Sequence, residues 1–112
     1  MKKIEVITRP EKLDDIKDAL GRMGINGMTV SEVIGCGLQK GRKGVFRGQE
    51  YTVNLIPKIK IEIVTSDAWV DDIVAKVSEV AQTGEIGDGK IFIYPVESAL
   101  RIRTGESGED AI

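Results

Sequence analysis

Taken as a pattern of apolar and polar positions, the chain divides into two similar halves. Lys2–Ile7 is a short run of β-branched and charged residues ended by Pro10, and it reads as a strand. In Leu13–Met23 the residues Leu13, Ile16, Leu20 and Met23 recur at helical spacing, which predicts a helix with one face on a core. Gly24 supplies its stop and Asn26-Gly27 a turn. Met28–Cys36 reads as a second strand of mixed pattern. The alternation in Lys58–Val64 is the clearest in the chain, with Ile59, Ile61 and Ile63 on one face and Lys58, Lys60 and Glu62 on the other. Ser66 or Asp67 is placed to cap a second helix over Asp67–Ala81, whose face carries Val70, Ile73, Val74, Val77 and Ala81. Ile91–Val96 is the fourth strand, and Pro95 predicts an edge position or an end there. The tail, Ala99–Ile112, closes on GESGEDAI and reads as polar and mobile.

The order β-α-β, loop, β-α-β makes two split βαβ units. That is the α+β ferredoxin-like βαββαβ sandwich: an antiparallel four-stranded sheet with two helices on one face. Its second sheet face, bearing Lys58, Lys60 and Glu62, can sit in water or pack in an oligomer. The length of 112 residues suits one domain, 1–112. One cysteine, Cys36, rules out an internal disulfide and fits a reducing cytoplasm. The absence of histidine removes the usual general base and the commonest metal ligand. A net charge of −2 does not suggest a protein built to hold nucleic acid. RNA-recognition domains share this strand order, but they want aromatics on strands that here read KIEVI and KIKIEIV. No apolar run reaches the length of a membrane span.

Gly37–Leu55 matches no period that would bury a face. Its 19 residues include four glycines and the cations Lys40, Arg42, Lys43 and Arg47. A structureless loop of that length in a small domain is expected to be functional. It holds Tyr51 beside Glu50, where a bare linker would carry Gly and Ser.

The second glycine loop, Gly84-Glu85-Ile86-Gly87-Asp88-Gly89-Lys90, fits G-x-x-x-x-G-K without the final hydroxyl residue. Successive glycine amides can cradle phosphate oxygens, and lysine adds charge. The order is helix-loop-strand and Ile91 stands where a magnesium-binding hydroxyl belongs, so this is not a P-loop NTPase. A simple turn is the alternative. Arg101 and Arg103 alternate along what reads as an extended segment, so both point one way, as suits an anion. Lys58, just after Pro57, can meet a carboxylate, and Gln39 a ligand or metal. Cys36 is expected to be a small buried filler, and Trp69 and Tyr94 packing residues. Three readings stay open on this basis: an anion-binding sensor, an acylphosphatase-like hydrolase with Arg9 holding phosphate, and a structural oligomer whose glycine loops are only turns.

The chain resembles the PII family of nitrogen-regulatory signal proteins along its whole length. The resemblance is carried by Lys12-Leu13-Asp14-Asp15, Gly27-Met28-Thr29-Val30, Arg47-Gly48-Gln49-Glu50-Tyr51, Pro57-Lys58-Ile59-Lys60-Ile61-Glu62, Thr83-Gly84-Glu85-Ile86-Gly87-Asp88-Gly89-Lys90 and Arg101-Ile102-Arg103-Thr104-Gly105-Glu106. It implies a non-enzymatic homotrimer that binds ATP or ADP in the clefts between subunits. Residues 37–55 would be the family's T-loop, 82–90 its B-loop and 97–112 its C-terminal loop and tail. The resemblance further implies that Gly87, Asp88, Gly89 and Lys90 hold the phosphates. Arg101 and Arg103 reach in from the adjoining subunit, as does Thr29 toward the base, while Gly37, Leu38 and Val64 line the site. 2-Oxoglutarate would bind beside ATP through Mg2+, with Gln39 as the metal-side ligand, Lys58 on a carboxylate, and the Gly37, Lys40 and Gly41 backbone assisting. Tyr51 matches the tyrosine that many bacterial members have uridylylated, and Gln49 replaces the serine phosphorylated in some cyanobacterial ones. Arg47 is similar to the arginine that some members insert into an ammonium channel. The targets implied are an ammonium transporter, an adenylyltransferase, a sensor kinase or an arginine-pathway kinase.

Overall fold

A computed structural model describes residues 1–37, 44–46, 49–51 and 54–112, with side chains described for 1–36 and 55–112. Its strands are β1 (Lys2–Thr8), β2 (Thr29–Gly37), β3 (Gly44–Phe46), β4 (Gln49–Tyr51), β5 (Asn54–Thr65) and β6 (Lys90–Pro95). Its helices are α1 (Leu13–Arg22) and α2 (Val70–Ala81), each entered through a short 3-10 turn, Pro10–Lys12 and Asp67–Trp69.

The main sheet is four-stranded and antiparallel, in the order β2-β5-β1-β6. This is the ferredoxin-like order anticipated from the pattern. One face carries the core. Ile4 and Val6 of β1, Ile59, Ile61 and Ile63 of β5, Ile16 and Leu20 of α1, and Ile73, Val77 and Ala81 of α2 pack together there. Burying these side chains supplies the main driving force, at about 1.5–3 kcal/mol for each large one. The helix face read from spacing holds, with Ala19 as an addition. Gly24, just past the Met23 cap of α1, has a φ of 85° that admits the left-handed turn. There the Gly24 N–H reaches Gly21 O at 3.0 Å and the Ile25 N–H reaches Leu20 O at 2.9 Å.

The second face of the sheet mixes a cross-linked polar cluster with the exposed apolar side chains of Val64 and Phe92. Lys3 Nζ lies 3.4 Å from Glu62 and 4.8 Å above the Tyr94 ring, and the Tyr94 hydroxyl donates to Glu5 at 3.2 Å. Glu5 and Glu62 face each other directly across β1 and β5, an arrangement that costs energy unless cations stand beside it. Lys3 and Lys60 supply them.

Several expectations need correcting. β5 begins at Asn54, so Pro57 lies inside a strand rather than before it. β1 pairs with β5 only from Ile59 onward, so at Pro57 the strand has β2 as its one neighbour and a missing N–H is tolerated. Within 37–55, β3 and β4 pair as a hairpin, with Tyr51 opposite Gly44, where no regular element was expected. Neither Trp69 nor Tyr94 is a core residue; each is 41% exposed. Cys36 is exposed, because it lies on an edge strand beyond the reach of the helices. The tail folds back: Leu100 bridges Ser107, and Gly108–Ala111 forms a 3-10 turn. The expectation for Pro95 holds in both senses, since β6 is an edge strand and ends there. Among the described residues no helix is long and apolar enough to cross a membrane.

Candidate functional site

The loop from Thr83 to Lys90 joins α2 to β6 and is built around Asp88. Its carboxylate accepts the Thr83 N–H at 2.8 Å, the Gly84 N–H at 2.9 Å and the Thr83 hydroxyl. Arg9 Nε stands 3.4 Å from the same group. The Thr83 hydroxyl and N–H, then the Gly84 N–H and Arg9, hold the Asp88 carboxyl well below the usual carboxylate range. The side chain of Asp88 is therefore committed within the loop, and what it offers outward is backbone.

The glycines are dictated by space. Gly87 and Gly89 have φ of 103° and 104°. A Cβ on Gly89 would lie 1.8 Å from the Ile7 carbonyl oxygen, so no side chain fits. A Cβ on Gly87 would come within 3.2 Å of Arg9 Nη2 and 3.4 Å of Lys58 Nζ. The loop thus presses its backbone against two cations, and Lys90 opens β6 directly after it. Lys58 Nζ donates to Gly87 O at 2.5 Å, and Arg9 Nη2 to Ile86 O at 2.9 Å. Partial burial and the neighbouring Arg9 charge lower the Lys58 pKa, while Glu11 and Asp88 oppose them. A group so placed gains from a carboxylate ligand, which would restore the stability of its charged form. The sequence reading missed the parts played by Thr8 and Arg9 at this loop; Arg9 carried only a hydrolase role there.

The remaining candidates sit at two ends of the sheet. Gly35 packs on the Lys58 stem, 3.4 Å from its Cγ to an added Cβ, so the Gly35–Gly37 end of β2 joins Lys58 and the glycine loop. Thr29 pairs with Glu62 at the other end of β2, and Val64 lies two residues further along β5. β6 also runs out at that far end, where Pro95 pairs with Lys2 and Lys2 with Thr65. The tail that follows carries Arg101 and Arg103. A cavity of about 500 Å³ there is lined by Gly27, Val64, Ser66, Trp69, Glu109 and Ile112 among others. Arg101 and Arg103 do not alternate along an extended segment. Residues 101–105 form a turn closed by the Gly105 N–H on Arg101 O at 2.8 Å, and Arg101 pairs with Glu106 at 3.4 Å. Leu38, Gln39, Lys40, Gly41 and Arg47 lie outside the described residues, and of Gly37 and Tyr51 only the backbone is described. Among the described residues no group of three or more Cys, Asp or Glu could hold a metal ion.

A ferredoxin-like sheet whose helix-to-strand loop sets constrained backbone beside Arg9 and Lys58 defines a small α+β protein with a candidate anion site. The chain belongs to the P-II family: the model of "Nitrogen regulatory protein P-II" matches residues 1–106. It is 57% identical over 112 residues to the nitrogen regulatory protein P-II of Pasteurella multocida and 59% identical over 112 residues to that of Synechocystis sp., with 100% of each chain covered in both cases. Among solved structures it is similar to B. subtilis GlnK, with a TM-score of 0.84 at 41% identity, covering 99% of this chain and 97% of that one. It is equally similar to the B. subtilis GlnK-ATP complex, with a TM-score of 0.84 at 40% identity, covering 99% and 94%. Members of this family are regulatory signal transducers rather than enzymes. The hydrolase reading falls with that, and Arg9 is engaged by the loop itself.

Proposed function

We propose that residues 1–112 form one PII-like domain that acts, as a homotrimer in the cytoplasm, as a sensor of nitrogen, carbon and energy status. The observation that carries this reading is the separation of the candidate residues. Thr29 and Gly37 stand at opposite ends of β2, eight residue steps and therefore about 26 Å apart. That is longer than one nucleotide, so both sets can serve the same ligand only across a boundary between copies. In such a site Gly37, Leu38, Gly87, Asp88, Gly89 and Lys90 of one subunit hold the phosphate end. Thr29, Val64, Arg101 and Arg103 of its neighbour close the base end. Val64 joins the second set because it stands beside Thr29's end of the sheet.

The occupant is ATP or ADP. The constrained backbone of Gly87 and Gly89 beside Lys58, Arg9 and Lys90 suits phosphate oxygens, and the similar GlnK was solved with ATP. Gln39 would hold Mg2+, which when bound would neutralise phosphate charge. 2-Oxoglutarate is held by Lys58 and the Gly37, Lys40 and Gly41 backbone. Residues 37–55 report the ligand state to a nitrogen-metabolism target such as an ammonium transporter, an adenylyltransferase, a sensor kinase or an arginine-pathway kinase, with Arg47 and Tyr51 as contacts. Coupling of about 1–3 kcal/mol between ligand and target is sufficient for such a switch. Tyr51 is the residue open to uridylylation; intact mass of the native protein from nitrogen-starved cells, unchanged by one UMP, would remove that role.

The deciding experiment is calorimetric titration of 2-oxoglutarate with and without Mg-ATP. Binding only in the presence of Mg-ATP is expected, and Lys58→Met should abolish it. Nucleotide binding without a 2-oxoglutarate response would leave an adenylate sensor, and no binding of either would leave a structural oligomer.

A further inference from the structure

Three consecutive carbonyls of the glycine loop are each taken by a side chain, two from the sheet and one from the residue that follows β1. Arg9 Nη2 donates to Ile86 O at 2.9 Å, Lys58 Nζ to Gly87 O, and Thr8 Oγ1 to Asp88 O at 2.7 Å. Thr8 is the informative member. It lies on the core face of β1, in row with Ile4 and Val6, and is 1% exposed. A hydroxyl there costs energy unless it is bonded, and valine would fill the same space. The partner recorded for it is the loop carbonyl. Arg9 lies against Gly87, where a Cβ would crowd Nη2, and its guanidinium also reaches Asp88.

In a planar trans peptide the carbonyl of one residue and the N–H of the next point in opposite directions. Fixing the carbonyls of Ile86, Gly87 and Asp88 toward the sheet therefore turns the N–H groups of Gly87, Asp88 and Gly89 away from it. The Asp88 N–H reaches back to Glu85 O at 3.4 Å, the long end of a hydrogen bond. We propose that Thr8 and Arg9 are positioning residues for nucleotide phosphate: they touch no ligand and set the direction of the loop amides that do. This rests on the nucleotide-binding reading above. Lys58, the third anchor, has a second task at the effector, so the permanent anchors are Thr8 and Arg9.

The test compares ATP and adenosine by calorimetry on the wild-type chain, Arg9→Met, Arg9→Lys and Thr8→Val. Arg9→Met should weaken ATP roughly ten- to hundredfold, the cost of a lost charge-assisted bond, with adenosine affinity unchanged. Arg9→Lys should recover part of the loss, because a lysine restores the charge with a single point of contact. Thr8→Val should lower ATP affinity in the same selective way, and it carries the test should Arg9→Met fail to fold. The assignment is overturned if Arg9→Met and Thr8→Val bind ATP as the wild type does. It is equally overturned if they lose ATP and adenosine by one factor, the mark of a merely structural role. A wild-type chain with no preference for ATP over adenosine would overturn the phosphate cradle itself, and this assignment with it.

Discussion

Asp88 shows how one side chain can organise a loop from within. Its carboxylate gathers the Thr83 hydroxyl, two backbone N–H groups and Arg9, and so fixes the loop's entry. Because these contacts depress its pKa, the charged form stabilises the folded state at neutral pH. That contribution is complete above the unfolded carboxylate value, near 3.9, and is lost as the pH falls through the lower folded value. Asp88→Asn should therefore melt below the wild type at pH 7, and the gap should narrow as the pH drops under about 4. Equal melting temperatures across that range would remove the role. The sequence marked glycines 84, 87 and 89 and Lys90 as one candidate loop, because G-x-x-x-x-G-K is a local pattern. It could not reveal Thr8, eighty residues away, whose contact with Asp88 exists only once β1 and β6 are paired.

Among the elements, period was a reliable guide wherever one face is buried. α1, α2 and β5 were legible because Ile16, Leu20, Ile73, Val77 and the Ile59-Ile61-Ile63 row are all in contact with one core. Ile61, 0% exposed at the centre of β5, should be sensitive: Ile61→Ala is expected to cost about 2–5 kcal/mol. Urea denaturation at fixed protein concentration measures this, and a loss under about 1 kcal/mol would contradict the packing described. Legibility failed where side chains bury nothing. β5 runs past Pro57 because its partner there is only β2, a fact about neighbours rather than composition. Arg101 and Arg103 look like alternating strand positions, but Gly105, with φ of 73°, lets the chain turn and hand Glu106 to Arg101.

At the scale of the whole molecule, the proposed reading gives one chain two half-sites at opposite ends of its sheet. The proposed homotrimer would close three such pairs by its own symmetry. Mixing supplies the check. A variant disabled at the phosphate end, Gly89→Ala, and one disabled at the base end, Arg103→Ala, should each bind no ATP. Refolded together in equal amounts, they should regain roughly a quarter of the sites, the product of two independent halves. No recovery, with both variants folded, would mean that the site is completed within one chain. The far end also holds Trp69, half-open at the rim of the cavity that Gly27, Val64 and Ile112 line. It is the single tryptophan in the chain. In the proposed site the protein consequently carries its one indole at the base end. Indole emission should shift with adenosine as well as with ATP, while inorganic triphosphate leaves it unchanged, so occupancy of the base end can be followed by itself without any label.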